Sequence, residues 1–250
     1  MKAVRFTLSG KNAFFKKPEV NSYYYFTYGQ IHKVALLGML GAIAGYNGYA
    51  QKKWTVRKKG ESLVEEYPEF YEKLRNLKVS IVPKNERGYI SKKIQTFNNS
   101  VGYACEEQGG NLIVKEQWLE NPIWDIYVLL DCEEAEQIAQ ILENNKCVYM
   151  PYLGKNDHLA DIKHVTRLEL ETVPLKETEI SSMFPKQIGE ICLPDDEDEI
   201  EEFKYEEKLP ISLNAYTNLY EYDTFCYTNL PIRVQEAELY KNQNKILAFY

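Results

Sequence analysis

His32 stands four residues after Tyr28 and directly before Lys33, which brings three different chemistries together early in the chain. A histidine or tyrosine acting as general base, beside a lysine that stabilises phosphorane charge, suits metal-free cleavage of RNA. One histidine is not a constellation, and a histidine at a helix start that hydrogen-bonds backbone or RNA is the better explanation. Asp157, His158, Asp161 and His164 form a second cluster. Their spacing matches no recognised metal-ligand motif, and a solvated loop explains them as well. There is no Walker A sequence, no GxSxG and no GxGxxG following a strand. "GMLGAIAG" lies inside an apolar helical run and is not a phosphate loop. No metal and no cofactor is expected.

A different chemistry is written into "GKNAFFKKPEVNSYYYFTY". Lysines neutralise phosphates, and each aromatic–base stack is worth about 1–3 kcal/mol, so basic residues interleaved with rings suit single-stranded nucleic acid. Some of those rings, Phe14 and Phe15 among them, must instead be core. The charge distribution agrees with a polyanion partner. Residues 1–60 hold eleven Lys and Arg against Glu19 alone, a local charge of +10 in a chain of net charge −7. Between Glu190 and Glu207 the balance reverses, with only Lys204 among ten acidic residues. Solvated surface lysines would give the same asymmetry, which alone is weak evidence.

These residues need elements to position them. "AVRFTLSG" alternates, Val4, Phe6 and Leu8 facing one way and Arg5 and Thr7 the other, as in a half-buried strand. Ile31 to Tyr46 is apolar nearly all round, a buried helix whose Gly38, Ala42 and Gly45 form one smooth stripe. Each interior glycine costs about 1 kcal/mol of helix propensity, so close packing on a sheet or another backbone must offset it. "KVSIVP" is a strand, and Lys84 to Gln117 is long and polar with turn signals, which predicts a protruding hairpin. "WDIYVLL" is the next strand. Asp131 can cap a helix buried through Ala135, Ile138, Ala139 and Leu142, and "CVYMPYL" returns as a strand. That order is the ferredoxin-like split βαβ pattern, followed by a β-rich remainder. With 44% hydrophobic and 27% charged residues over 250 positions, the composition is that of a globular protein with a real core. Five scattered cysteines without a CxxC pair suit reduced thiols, and the one long apolar run is too short to span a bilayer. The expected location is cytoplasmic, without a membrane.

"KNAFFKKPEVNSYYYFTYGQIHKVALLGMLGAIAGY" resembles the N-terminal signature of the CRISPR-associated RAMP family five (Cas-five), type I-B branch. "PYLGKN", Pro151 to Asn156, is similar to the Pro-aromatic-Leu-Gly-basic loop that follows that family's fourth strand. The resemblance is clear over residues 1–50, is supported by element order to about residue 160, and is thin beyond. It implies an α+β chain: a ferredoxin-like (RRM-like) RAMP domain over 1–160, with a thumb hairpin over about 84–117. The β-rich portion read from the strand patterns follows over 161–250, and its acidic loop over about 195–202 is not a feature carried over from the family. The resemblance further implies a Cascade subunit that holds the 5′ handle of the CRISPR RNA. Its partners would be the backbone and large subunits, with target DNA contacted indirectly through base pairing.

On that reading Lys11, Lys16 and Lys17 neutralise handle phosphates, Tyr23, Tyr25 and Tyr28 stack, and Asn21 lies among them. Amides near Gln30 and His32, with Lys33, favour a phosphate. Tyr152, Gly154, Lys155 and Asn156 form a second contact. Lys92, Lys93, Asn98 and Asn99 lie near the thumb's tip. A type I-C branch of the family cuts precursor RNA with tyrosine, lysine and histidine residues, a trio that cannot be placed here. The I-B branch leaves cutting to a separate endonuclease, so no catalysis is expected. The alternatives are a metal-independent endoribonuclease using His32 or Tyr28, and a scaffold whose basic segment contacts acidic proteins.

Overall fold

The computed structural model describes residues 1–19, 24–55, 62, 64–100, 102, 106, 108, 110–174, 177–193 and 201–250. The N-terminal part runs β1 (Lys2–Ser9), β2 (Asn12–Ala13), α1 (Lys33–Ala44), α2 (Glu69–Leu74) and β3 (Val79–Pro83). It continues with β4 (Lys92–Asn98), β5 (Ile113–Glu120), β6 (Ile123–Leu129), α3 (Glu133–Glu143) and β7 (Asp161–Glu169). The central sheet has the order β3-β6-β1-β7, all antiparallel, which is the ferredoxin-like arrangement.

Alternation in β1 works as its sequence predicts. Val4, Phe6 and Leu8 are fully buried toward α1 and α3, with Phe6 opposite Ile126. Buried side chains of that kind each contribute about 1.5–3 kcal/mol. The α3 face of Ala135, Ile138, Ala139 and Leu142 closes the same core. Cys132, rather than Asp131, occupies its N-cap position, and its side chain makes no capping bond.

The fourth strand differs from expectation. Residues 147–150 form no strand, and Val148, Tyr149 and Met150 are exposed. The edge position is taken by β7, where Arg5 pairs with Thr166 and Thr7 with Lys163 across a bulge. His164 adopts φ 54° there. "CVYMPYL" has the apolar content of a strand, but the edge it would fill is occupied by β7, which pairs with β1 from Lys2 to Ser9.

The predicted hairpin is present as β4 and β5, joined by residues 99–112, with Phe97 opposite Val114. Lys92 and Lys93 sit at its base, opposite Leu119 and Trp118, while Asn98 is toward the tip. The β-rich remainder begins with β8 (Glu171–Thr172), β9 (Glu177–Glu179), β10 (Phe184–Pro185), β11 (Gly189–Ile191) and β12 (Lys204–Leu213). It ends with β13 (Tyr220–Thr228), β14 (Pro231–Val234), β15 (Glu238–Asn242) and β16 (Lys245–Phe249). The β12–β13 hairpin covers α1 through Leu209, Leu213 and Phe225. Strands β15 and β16 cover part of the sheet's other face through Tyr240, Leu247 and Phe249. Among the described residues no helix is long and apolar enough to cross a membrane.

Candidate nucleic-acid interface

The basic–aromatic segment folds back on itself. Lys16 bridges Thr27, Lys17 N–H donates to the Phe26 carbonyl (2.8 Å) and Tyr28 N–H donates to that of Phe15 (2.9 Å). Its returning limb then adds to the thumb: Tyr25 N–H donates to the Lys115 carbonyl, and Gln117 N–H donates to that of Tyr25, both at 2.9 Å. An extended limb alternates its side chains. Tyr24 and Phe26 emerge on the surface, stacked at 6.3 Å, with the Lys115 ammonium 5.1 Å from the Tyr24 ring. Lys16 is exposed and lies 4.1 Å over the half-buried Tyr25 ring. Lys11 and Lys92 are exposed as well.

Several expected ligand residues turn inward. Phe14, Phe15 and Tyr28 are core, and the Tyr28 hydroxyl donates to that of Tyr222 at 3.2 Å. At 2% exposure the Tyr28 ring offers no stacking face, and burial pushes its hydroxyl well above the ordinary tyrosine range. His32 is buried at the N-cap of α1, where Nδ1 accepts the Ala35 N–H, and its ring meets Phe15, Tyr28 and Tyr220 edge-on. Burial brings its pKa down to about 3, so it is neutral across the physiological range. Burial also lowers the neighbouring Lys33 to about 8.

Ahead of the helix start expected to face a phosphate, one amide and one side chain are engaged within the protein. Gly29 N–H donates to both oxygens of Glu207 (3.1 and 2.9 Å), which also pairs with Lys17 at 3.0 Å. Gln30 is buried and accepts from the Trp124 indole at 2.7 Å. Glu207, remote in sequence, thus holds the Gly29 amide and the Lys17 ammonium.

The 151–159 loop is fastened to the same hairpin. Lys155 pairs with the largely buried Glu116 at 2.9 Å and lies 5.0 Å from the Phe97 ring and 5.4 Å from the Trp118 ring. Its charge is spent internally and is not free for a phosphate. Gly154 has φ 86°, and a Cβ there would stand 1.9 Å from the Phe14 carbonyl oxygen, so only glycine fits. His158 is buried edge-on to Trp118 at 4.4 Å, whereas Asp157, Asp161 and His164 are exposed. Among the described residues no group of three or more His, Cys, Asp or Glu gathers as a metal site. Lys93 is paired with Glu120 at 3.4 Å. Asn156 is exposed, and Asn21 and Tyr23 lie outside the described residues, as does most of the acidic run.

Exposed Tyr152 lines a groove of about 520 Å³ along α1. Ala35, Gly38 and Ala42 form its floor, and Tyr49 and Tyr149 stand at its rim. Of the small-residue stripe read from the sequence, Gly38 and Ala42 are open to this groove, whereas a Cβ at Gly45 would stand 2.8 Å from Val148; inside the helix the tightly packed glycine is Gly41, against Phe70. Tyr49 stacks on Trp54 at 6.0 Å with Lys52 5.3 Å from the indole. Sequence reasoning missed Tyr24, Phe26, Lys115, Tyr49, Trp54 and Tyr149. Period-two alternation in "YYYFTY" was the available signal for the first two.

No family model matches the sequence, and no curated protein matches it. Solved structures do share its fold. A CRISPR protein from Archaeoglobus fulgidus superposes with a TM-score of 0.54 at 10% identity, over 99% of this chain and 98% of that one. A chain of a CRISPR RNA-guided surveillance complex gives 0.53 at 15% identity, over 93% and 90%. A chain of a type III-B Cmr-beta complex bound to cognate target RNA and AMPPnP gives 0.50 at 10%, over 92% and 86%. The fold of this chain is thus a ferredoxin-like sheet with a protruding β-hairpin and a β-rich C-terminal portion, shared with these CRISPR-associated structures.

Proposed function

We propose that this chain is a non-catalytic RNA-binding subunit of a CRISPR surveillance complex, holding the 5′ handle of the guide RNA. The carrying observation is the surface formed where Tyr25 bridges Glu116 of β5, which presents Tyr24, Phe26 and Lys115 together and sets Lys16 over the Tyr25 ring. Stacked, half-exposed rings beside cations that have no carboxylate partner among the described residues are what a single strand needs: a face for bases and charge for phosphates. The groove along α1, with Tyr49, Tyr149 and Tyr152, continues the same chemistry. The shared fold with a chain of an RNA-guided complex supports the reading, as does the resemblance to the Cas-five family, type I-B branch. Exposed Val148, Met150 and Leu159 supply apolar area suited to docking on backbone and large subunits, with target DNA reached through base pairing. The histidine that metal-free cleavage would recruit is buried and neutral, which disfavours the endoribonuclease reading.

The test is incubation of the purified chain with end-labelled repeat RNA in EDTA, reading binding and cleavage from the same samples. Salt-sensitive binding without a discrete cut is expected. A single cut that disappears in His32→Ala would overturn the proposal, and salt-independent affinity would count heavily against it.

A further inference from the structure

The sheet face turned away from α1 and α3 carries a second charged constellation, independent of the RNA-binding reading. Alternation in β1 sends Arg5 and Thr7 to this face, and register places Asp125 of β6 directly opposite Thr7. Asp125 is completely buried. Its Oδ1 accepts the Thr7 hydroxyl at 2.9 Å, while Oδ2 receives three cations: Arg5 Nη2 at 2.9 Å, Lys245 Nζ at 3.6 Å and Lys84 Nζ at 3.7 Å. Burial raises the carboxyl's pKa, but the Thr7 and Arg5 hydrogen bonds and the Arg5 and Lys84 charges together hold it below the ordinary range.

One carboxylate neutralises one cation. Arg5 already supplies the close pair, so the two lysines leave a surplus of positive charge at this spot. Among the described residues neither lysine has another carboxylate partner. The lysines arrive from distant places in the chain, the end of β3 and the start of β16, and like charges gathered around one buried atom repel. Arg5 Nε is buried and has no hydrogen-bond partner. Beside it opens a cavity of about 460 Å³, lined by Arg5, Lys245, Thr166, Asn242 and Gln243. Arg167 also borders it, but is held by Glu136 and Glu143. Cations in excess, neutral donors and an orphaned guanidinium nitrogen converge on a space large enough for a nucleotide.

We infer that this cavity binds a phosphate group, with Arg5 and Lys245 supplying the charge at its wall, Lys84 adding charge through the shared Asp125 carboxylate without lining the cavity, and Thr166 and Asn242 the neutral hydrogen bonds. The phosphate can belong to the free ion, to a nucleotide or to a terminal nucleotide of a strand, since all present the same oxygens.

Calorimetric titration of the whole chain at matched ionic strength tests this, with four probes: inorganic phosphate, a nucleoside monophosphate, and a dinucleotide with either a 5′-phosphate or a 5′-hydroxyl. The double variant Lys84→Ala/Lys245→Ala is compared with wild type. Both ammonium groups are partly exposed, whereas replacing Arg5 would strand Asp125 without its close partner. The expected result is saturable binding of at least one probe with a free or terminal phosphate, weakened tenfold or more in the double variant, with the 5′-hydroxyl dinucleotide, whose one phosphate is an internal singly charged diester, not binding there. Tightest binding of the phosphorylated dinucleotide would assign the site to a strand end, and of the monophosphate to a free nucleotide. Absence of saturable binding by every probe, or equal binding by the variant, would overturn the inference. Retained RNA-handle affinity in the double variant would show that the two faces act separately.

Discussion

The Lys155 ammonium lies 2.9 Å from Glu116 Oε2, and this pair joins the 151–159 loop to the thumb hairpin. Glu116 is mostly buried, and it also accepts the Trp118 indole N–H at 2.7 Å. Lys155→Ala therefore leaves a carboxylate without its cation in a poorly solvated place. The expected cost is about 1–3 kcal/mol of unfolding free energy, read by urea denaturation. The salt slope of RNA binding should be unchanged, because this lysine meets no phosphate. A slope reduced by about 0.7, with stability intact, would instead make Lys155 a phosphate ligand.

Two glycines of α1 should respond in opposite directions. A Cβ at Gly38 would meet only Phe70, at an ordinary 3.8 Å, whereas one at Gly41 would stand 2.6 Å from Phe70 Cβ. Gly38→Ala is expected to stabilise the chain by about 0.5–1 kcal/mol through helix propensity. Gly41→Ala is expected to destabilise by about 1–3 kcal/mol, because α2 must shift away. Thermal unfolding of the two variants reads both signs.

The sequence made the palm of the fold legible because its signals are local. Alternation in β1, a one-sided apolar face on α3 and an apolar helix at α1 each fix an element without reference to anything distant. The hairpin was legible from length and turn residues. What escaped was set by partners far along the chain. Glu207, 178 residues after Gly29, takes that residue's amide and the Lys17 ammonium, and Glu116 takes Lys155. Likewise β7, rather than the more apolar 147–153 segment, wins the sheet edge. Composition marked the tyrosine cluster but not its phase, so Tyr28 was counted with the ligands although it packs in the core.

The buried imidazole of His32 makes stability depend on pH. Its folded pKa of about 3 lies below the ordinary 6.5, so the unfolded chain binds a proton that the folded chain refuses anywhere between those values. The contribution is complete above about pH 6.5 and is lost as the pH falls toward 3. Between pH 6.5 and 5 this one group should remove about 2 kcal/mol of unfolding free energy. His32→Asn keeps a capping side chain and removes the titration. It should unfold more easily at pH 7 yet show a flatter dependence over the same interval. Parallel pH profiles for the two proteins would mean that His32 is not held neutral.

The stacked pair at the thumb edge separates binding from folding. Tyr24 and Phe26 are 37% and 36% exposed, so removing either ring takes little from the core. Tyr24→Ala or Phe26→Ala should leave the unfolding midpoint nearly unchanged and weaken single-stranded RNA binding by about 1–3 kcal/mol for each stack lost. Lys16→Ala and Lys115→Ala should each lower the slope of log affinity against log salt by about 0.7, the value for one phosphate on a single strand. Tyr28→Ala reverses the pattern: it empties a fully packed site and should cost about 3–5 kcal/mol of stability. Fluorescence anisotropy across a salt series, paired with denaturation of the same variants, resolves the two classes. If Tyr24 and Phe26 variants bound as wild type does while the lysine variants lost slope, the surface would be reading charge alone, and the bases would have to stack in the α1 groove.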